Sequence, residues 1–159
     1  MIAKAVENIL EEQQDKFLIP AELVANVLED NRLDHAFLVL TKVKYAKIPV
    51  LDNKQHFKGL LSLAMITDTM LGLNGIDASK LHDIQVKDVM QTDVPLVKLP
   101  YDMEKIMHLM VDQAFLVVVD DNNCFTGILT RREMIKAINH LAHELDKRYL
   151  VEARDQLKA

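Results

Sequence analysis

One pattern occurs twice in this 159-residue chain and limits what it can fold into. Ile48-Pro49-Val50-Leu51-Asp52 is followed by Gly59-Leu60-Leu61-Ser62, and Leu116-Val117-Val118-Val119-Asp120 by Gly127-Ile128-Leu129-Thr130. Seven positions separate aspartate from glycine in each copy, and the copies are offset by 68 residues without a gap. Each copy reads as strand, helix, strand, turn, strand, helix. A unit this small cannot close its own sheet core. Two copies packed face to face can, and their seam leaves clefts.

The elements follow from periodicity. Residues 1–16 carry Ile2, Val6, Ile9 and Leu10 at helical spacing, an N-terminal amphipathic helix. The first repeat spans 17–75. Val24 to Leu28 reads as a strand, Asp34 to Thr41 as a helix, Ile48–Leu51 and Phe57–Leu61 as strands around the turn Asp52-Asn53-Lys54, and Ala64 to Leu71 as a helix closed by Gly72 and Gly75. The second repeat spans 84–140 and opens at Val86 to Met90. A strand is expected over Val94 to Leu99, a helix over Asp102 to Gln113, and strands over Phe115–Val119 and Phe125–Leu129. A long helix runs from Arg131 to about Leu157, with Ile135, Ile138, Leu141, Leu145 and Tyr149 on one face, so that 141–159 form a C-terminal helical extension. The fold class is α/β.

Composition excludes several functions. Half the residues are hydrophobic and 27% are charged and well mixed, enough for a packed core. A net charge of −5 argues against a nucleic-acid binder. The single cysteine, Cys124, has neither a disulfide partner nor ligand spacing around it and reads as inert. No metal set forms among His35, His56, His82, His108, His140 and His143, and the pair His140/His143 reads as solvent-facing. The glycines are too few for a phosphate cradle, no nucleophile elbow or P-loop occurs, and the eight methionines read as core filler. No signal peptide or membrane span is visible, so a cytoplasmic protein without catalytic activity, cofactor or metal is expected.

The order β-α-β-β-α with an apolar-Pro-Val-apolar-Asp strand, a turn, and Gly-apolar-apolar-Thr/Ser before a helix resembles the CBS domain. The resemblance covers about residues 17–140 and implies a pseudo-twofold CBS pair. Phe37-Leu38-Val39-Leu40-Thr41-Lys42, Tyr45, Ile48-Pro49-Val50, Asp88-Val89-Met90 with Thr92-Asp93, and Thr130-Arg131-Arg132 resemble the stand-alone bacterial CBS proteins that bind cyclic di-AMP. That resemblance implies a nucleotide held between repeats by Val24, Ala25, Asn26 and Val27, by Tyr45, Ala46, Lys47 and Ile48, and by Thr130, Arg131 and Arg132. The chemistry suits the ligand: a strand edge reads adenine, Tyr45 stacks, and arginines and a helix N-terminus receive phosphate. Lys42, Lys44 and Lys47 add local positive charge.

Each residue also has a plainer role. Thr130 and Glu133 fit a capping box, Arg131 and Arg132 suit an ordinary surface, the Lys42–Lys47 run suits a solvated face, Tyr45 suits packing as well as stacking, and Val24 and Ile48 are core residues first. Two departures concern the ligand. Many adenosine-binding CBS repeats place Asp six residues after the glycine, where this chain has Met65 and Glu133, which favours cyclic di-AMP over AMP or ATP. Leu23 stands where some relatives carry a base. The resemblance further implies a second-messenger receptor that dimerises and, ligand-free, binds a (p)ppGpp synthetase/hydrolase of the stringent response or pyruvate carboxylase. The competing readings are an AMP, ADP or ATP sensor of the same fold and a structural dimer module with vestigial clefts.

Overall fold

The structure, a computed structural model, describes residues 1–154. In chain order the elements are α1 (Lys4–Glu11), β1 (Leu18–Pro20), β2 (Val27–Leu28), α2 (Leu33–Val43), β3 (Lys47–Leu51), β4 (Phe57–Ser62), α3 (Leu63–Met70), β5 (Leu71–Gly72), β6 (Gly75–Ile76), β7 (Leu96–Val97), α4 (Met103–Asp112), β8 (Phe115–Val119), β9 (Phe125–Thr130) and α5 (Arg131–Arg148). Helix starts follow from local chemistry. Ser62, Asp102 and Thr130 each cap a helix, accepting the backbone N–H three residues on at 3.1, 3.0 and 3.3 Å. The chain forms the α/β class expected, with sheets ordered β1-β9-β8-β7 and β2-β3-β4 and a small hairpin β5-β6.

Two compact units result. One combines Pro20–Lys98 with Val117–Gly127; the other combines Met1–Ile19, Leu99–Leu116 and the segment that begins at Ile128. In the first unit, β3 pairs antiparallel with β4, placing Ile48 opposite Leu61, and parallel with β2 from Val27 opposite Val50. Leu33, Ala36, Ile48, Val50, Leu61, Ile66 and Val86 form its fully buried centre. In the second unit, α1 packs on α5. Ile9 and Leu10 of α1 are 1% exposed, Arg148 donates to Glu12 at 2.6 Å, and Asn8 donates to the Tyr149 hydroxyl at 3.4 Å.

The repeat is reproduced hydrogen bond by hydrogen bond. Asp52 Oδ1 accepts from the N–H groups of Lys54 and His56 at 2.8 and 2.9 Å. Asp120 Oδ1 accepts from Asn122 and Cys124, both at 2.9 Å. Gln55 and Asn123 occupy the left-handed region at φ 69 and 63. The two turns then pair with each other: Phe57 N–H donates to Asn123 O at 3.0 Å, and Phe125 N–H to Gln55 O at 2.9 Å. Both turns lie in the first unit, so a local twofold relates the copies there.

The copies differ in what faces the second oxygen of the turn aspartate. His56 Nδ1 lies 2.9 Å from Asp52 Oδ2, where the second copy has Cys124. Burial, the strongest single influence on Asp52, pushes its pKa up. Donation from the His56 backbone, the His56 ring and the Lys54 backbone together outweighs it and holds the carboxyl at about 2 against an ordinary 3.8. A depressed carboxylate stabilises the fold above its unfolded pKa, and that contribution is lost as pH falls through the folded value. Melting curves of wild type and Asp52→Asn are therefore expected to differ by a constant amount above about pH 5 and to converge between about pH 4 and pH 2. A gap that persists to pH 2 would rule out the carboxylate as its source.

Several expectations are corrected. The strand expected over Val24 to Leu28 is β2 alone; Ala21–Leu23 form a 3-10 turn, and Asn26 turns its amide back onto Val24 O at 3.3 Å. The strand expected over Val94 to Leu99 shrinks to Leu96–Val97, because Pro95 and Pro100 offer no N–H to a ladder. Val86–Asp88 form a 3-10 turn closed by a Gln85/Asp88 capping box. The α5 helix ends at Arg148, not near Leu157: Tyr149 leaves extended at φ −133 and ψ 144 and meets α1, while 155–159 lie outside the described residues. Its inward stripe departs from expectation in the first half only: Met134 and Ala137 are buried, whereas Ile135 and Ile138 are 58% and 43% exposed, and Leu141, Leu145 and Tyr149 are half-buried on the expected face. His140 is not solvent-facing at its tip; Nε2 is buried with no partner among the described residues.

Candidate functional site

The expected binding residues fall in both units. In the first, α2 ends at Lys44, whose left-handed conformation (φ 57) returns its N–H to Leu40 O at 3.1 Å and turns the chain outward. Tyr45 is thereby left 53% exposed and Ala46 exposed, and β3 begins at Lys47. Ile48 is fully buried opposite Leu61. Lys47 donates from Nζ to Gln91 Oε1 at 3.1 Å. Gln91 is fixed in turn by reciprocal 2.9 Å backbone bonds with Leu60. Lys42 and Lys44 are exposed and make no side-chain hydrogen bond among the described residues.

Val24 to Val27 run beside this segment. Val24 and Val27 are buried at 8% and 2% exposure, whereas Ala25 and Asn26 are half-buried. The parallel ladder with β3 starts only at Val27, and Pro49 explains why. Val27 faces Val50, and Glu29 N–H bonds Leu51 O. The same alternation two residues back would have Ala25 O accept from the N–H of residue 49, which proline lacks. The backbone edge at Ala25 and Asn26 is thus left outside the sheet, an edge of N–H and C=O groups next to the buried side chains of Val24 and Ile48. Leu23, on the preceding turn, is 70% exposed and adds no charge.

In the second unit, Thr130 caps α5, as the capping box implies. Only half of the box forms, because the Glu133 carboxylate accepts from Lys136 at 2.7 Å instead of returning to Thr130. The two arginines have different surroundings. Arg131 donates from Nε to Met110 O at 3.0 Å and from Nη2 to Val111 O at 3.2 Å, and its backbone N–H bonds Ala114 O at 2.9 Å. It ties the C-terminal carbonyls of α4, which have no intrahelical donor, to the first turn of α5. Arg132 is exposed and makes no side-chain hydrogen bond among the described residues. Thr130 and Arg132 therefore flank the N-terminal end of an 18-residue helix, where backbone N–H groups and a guanidinium favour an anion.

Sequence reasoning named these residues but missed two parts of the arrangement. Gln91, which anchors Lys47, lies 44 residues away and carries no local signal. The α4 carbonyls that hold Arg131 are backbone groups and cannot be read from side-chain identity. Among the described residues no cluster of His, Cys, Asp and Glu could hold a metal ion, and no helix is long and apolar enough to cross a membrane.

The CBS domain family model matches residues 86–140. Cyclic di-AMP receptor B of Bacillus subtilis (strain 168) is 37% identical over 147 residues, covering 92% of this chain and all of that protein. The crystal structure of the Listeria monocytogenes CbpB protein in complex with c-di-AMP is 48% identical with a TM-score of 0.77, covering 82% of this chain and 98% of that one. CbpB from Streptococcus agalactiae is 29% identical with a TM-score of 0.84, covering 96% of each chain. With its duplicated β-α-β-β-α pattern and a full-length relative of this similarity, the chain belongs to the CBS-domain family, in the group of tandem-CBS proteins that includes cyclic di-AMP receptor B.

Proposed function

We propose that this chain is a non-catalytic cytoplasmic receptor that binds cyclic di-AMP through Val24–Val27, Tyr45–Ile48 and Thr130–Arg132, and that ligand state regulates a partner protein. The observation that carries the reading is the Listeria relative, 48% identical, whose structure was solved in complex with c-di-AMP. The chemistry of this chain supports it. Cyclic di-AMP presents two adenines and two phosphodiesters. The unpaired edge at Ala25 and Asn26 offers donors and acceptors to an adenine, the 53% exposed Tyr45 ring offers a stacking face, and Arg132 at the start of α5 offers a fork to phosphate. Repeats spanning 17–75 and 84–140 would supply these elements, and the protein would act as a homodimer, with Ile135 and Ile138 among the exposed apolar residues available for assembly.

Calorimetric titration with cyclic di-AMP, AMP and ATP tests the reading. Cyclic di-AMP alone is expected to bind tightly, and Arg132→Ala to weaken it by about 10- to 100-fold, the range for losing a hydrogen bond to a charged group. Heat with AMP or ATP and none with cyclic di-AMP would replace this reading with an energy sensor; no heat with any of them would leave a structural dimer module.

A further inference from the structure

The two adjacent arginines do different work, and Arg131 has the geometry of a coupling residue. Its guanidinium already spends Nε and one Nη2 hydrogen on Met110 O and Val111 O at the C-terminal end of α4. Nη1 and the second Nη2 hydrogen form the outer edge of the fork, and that edge has no hydrogen-bond partner among the described residues. The side chain is exposed, so the outer edge is accessible. A planar guanidinium donates along both edges at once, which an ammonium cannot do in the same fixed orientation.

We infer that Arg131 links nucleotide phosphate to the C-terminal end of α4: the inner edge stays on the Met110 and Val111 carbonyls while the outer edge takes phosphate. Arg131 is then a positioning residue for that helix end as well as a ligand contact, and the inference rests on the receptor reading above. Phosphate on the outer edge fixes the guanidinium, which holds the two carbonyls more firmly and orders the last turn of α4. Gln113 N–H, bonded to Leu109 O at 3.1 Å, and the 74% exposed Val111 belong to that turn. Ligand state would therefore be reported at a surface point that the ligand does not touch, through one rigid side chain with two bonded edges. Lysine at 131 would keep the charge and lose the second edge.

Hydrogen exchange over residues 103–115, measured alongside calorimetry on the full chain with and without cyclic di-AMP, tests this. Saturating ligand is expected to slow exchange in the last turn of α4 by about three- to tenfold, the factor for firming one or two hydrogen bonds. Arg131→Lys is expected to keep binding within about tenfold and to lose that slowing. Arg132→Ala is expected to weaken binding by about 10- to 100-fold and to leave ligand-free exchange in α4 unchanged. Heat of binding with unchanged exchange overturns the coupling, as does faster exchange, which would mean that the guanidinium leaves the carbonyls. Retained slowing in Arg131→Lys overturns the role of the fork. Absence of binding overturns the receptor reading itself and is separated from the other outcomes by the calorimetric arm.

Discussion

Gly59→Ala is expected to lower the melting temperature by roughly 5–10 °C, the shift for a cost of about 2–3 kcal/mol in a chain of this size. A Cβ at this position would lie 2.5 Å from Gln91 O, 3.1 Å from Met90 Sδ and 3.2 Å from Met90 Cγ. The methionine side chain can move; the carbonyl cannot move alone. Gln91 O accepts from Leu60 N–H and Gln91 N–H donates to Leu60 O, both at 2.9 Å, so relieving the clash strains or breaks a reciprocal bridge next to the glycine itself. The same displacement moves the Gln91 side chain that receives Lys47 Nζ, so weaker binding of cyclic di-AMP should accompany the loss of stability. Gly72→Ala is the control. Its Cβ would meet only Gly75 O, at an ordinary 3.5 Å, and a change within about 0.5 kcal/mol is expected. Thermal melts of the two variants decide it: equal midpoints would mean that the β4 strand has room where the geometry shows none.

The glycine was legible in the sequence as part of a repeated Gly-apolar-apolar-Ser/Thr strand, and so was most of the fold, because the signals that specify it are local. An Asp at the end of β3 or β8 bonds the N–H groups two and four residues on in each copy, whatever else the chain does. Short apolar runs mark β3, β4 and β8, which are buried almost throughout, β9 alternates buried and half-buried positions, and a Ser, Asp or Thr cap starts α3, α4 and α5. What failed were features decided by partners distant in sequence. The α5 helix carries apolar residues at more than one phase, and tertiary packing buries Met134 and Ala137 while Ile135 and Ile138 stay exposed. The same helix ends where Tyr149 reaches Asn8, a contact across 141 residues. The hairpin of β5 and β6 shows in the sequence only as a helix exit, since Gly72 and Gly75 mark a turn without saying what the flanking Leu71 and Ile76 pair with.

The candidate site divides in the same way. The resemblance proposes which residues belong to it, and the unpaired edge at Ala25 follows from one proline in the neighbouring strand once the register is known. Arg131 and Arg132 are indistinguishable in sequence. Only the path of α4, which brings two open carbonyls beside the first of them, assigns one to a helix end and leaves the other free of side-chain partners among the described residues.

Leu61→Ala and Leu129→Ala should each cost about 2–5 kcal/mol, a fall of roughly 5–15 °C in melting temperature, and the two costs should agree within about 1 kcal/mol. The two leucines occupy the same place in the two copies, and both are 0% exposed. Leu61 stands opposite Ile48, itself 0% exposed, on paired strands whose residues cannot close over a lost isobutyl group without breaking register, so the cavity should persist. Leu129 lies next to Thr130, and its counterpart of Ile48 in the second copy, Leu116, is 1% exposed. The copies thus share a packing problem although their site residues differ, which is why their costs should match. Ligand separates damage to the core from damage to the site. At a cyclic di-AMP concentration 100 times its dissociation constant, an intact site adds about 2.7 kcal/mol to either variant. Equal increments in wild type and both variants would place the loss in packing alone. A missing increment in Leu61→Ala only would mean that the proposed adenine site needs the Ile48–Leu61 pair beneath it, and a cost below about 1 kcal/mol in either variant would refute the packing account of that copy.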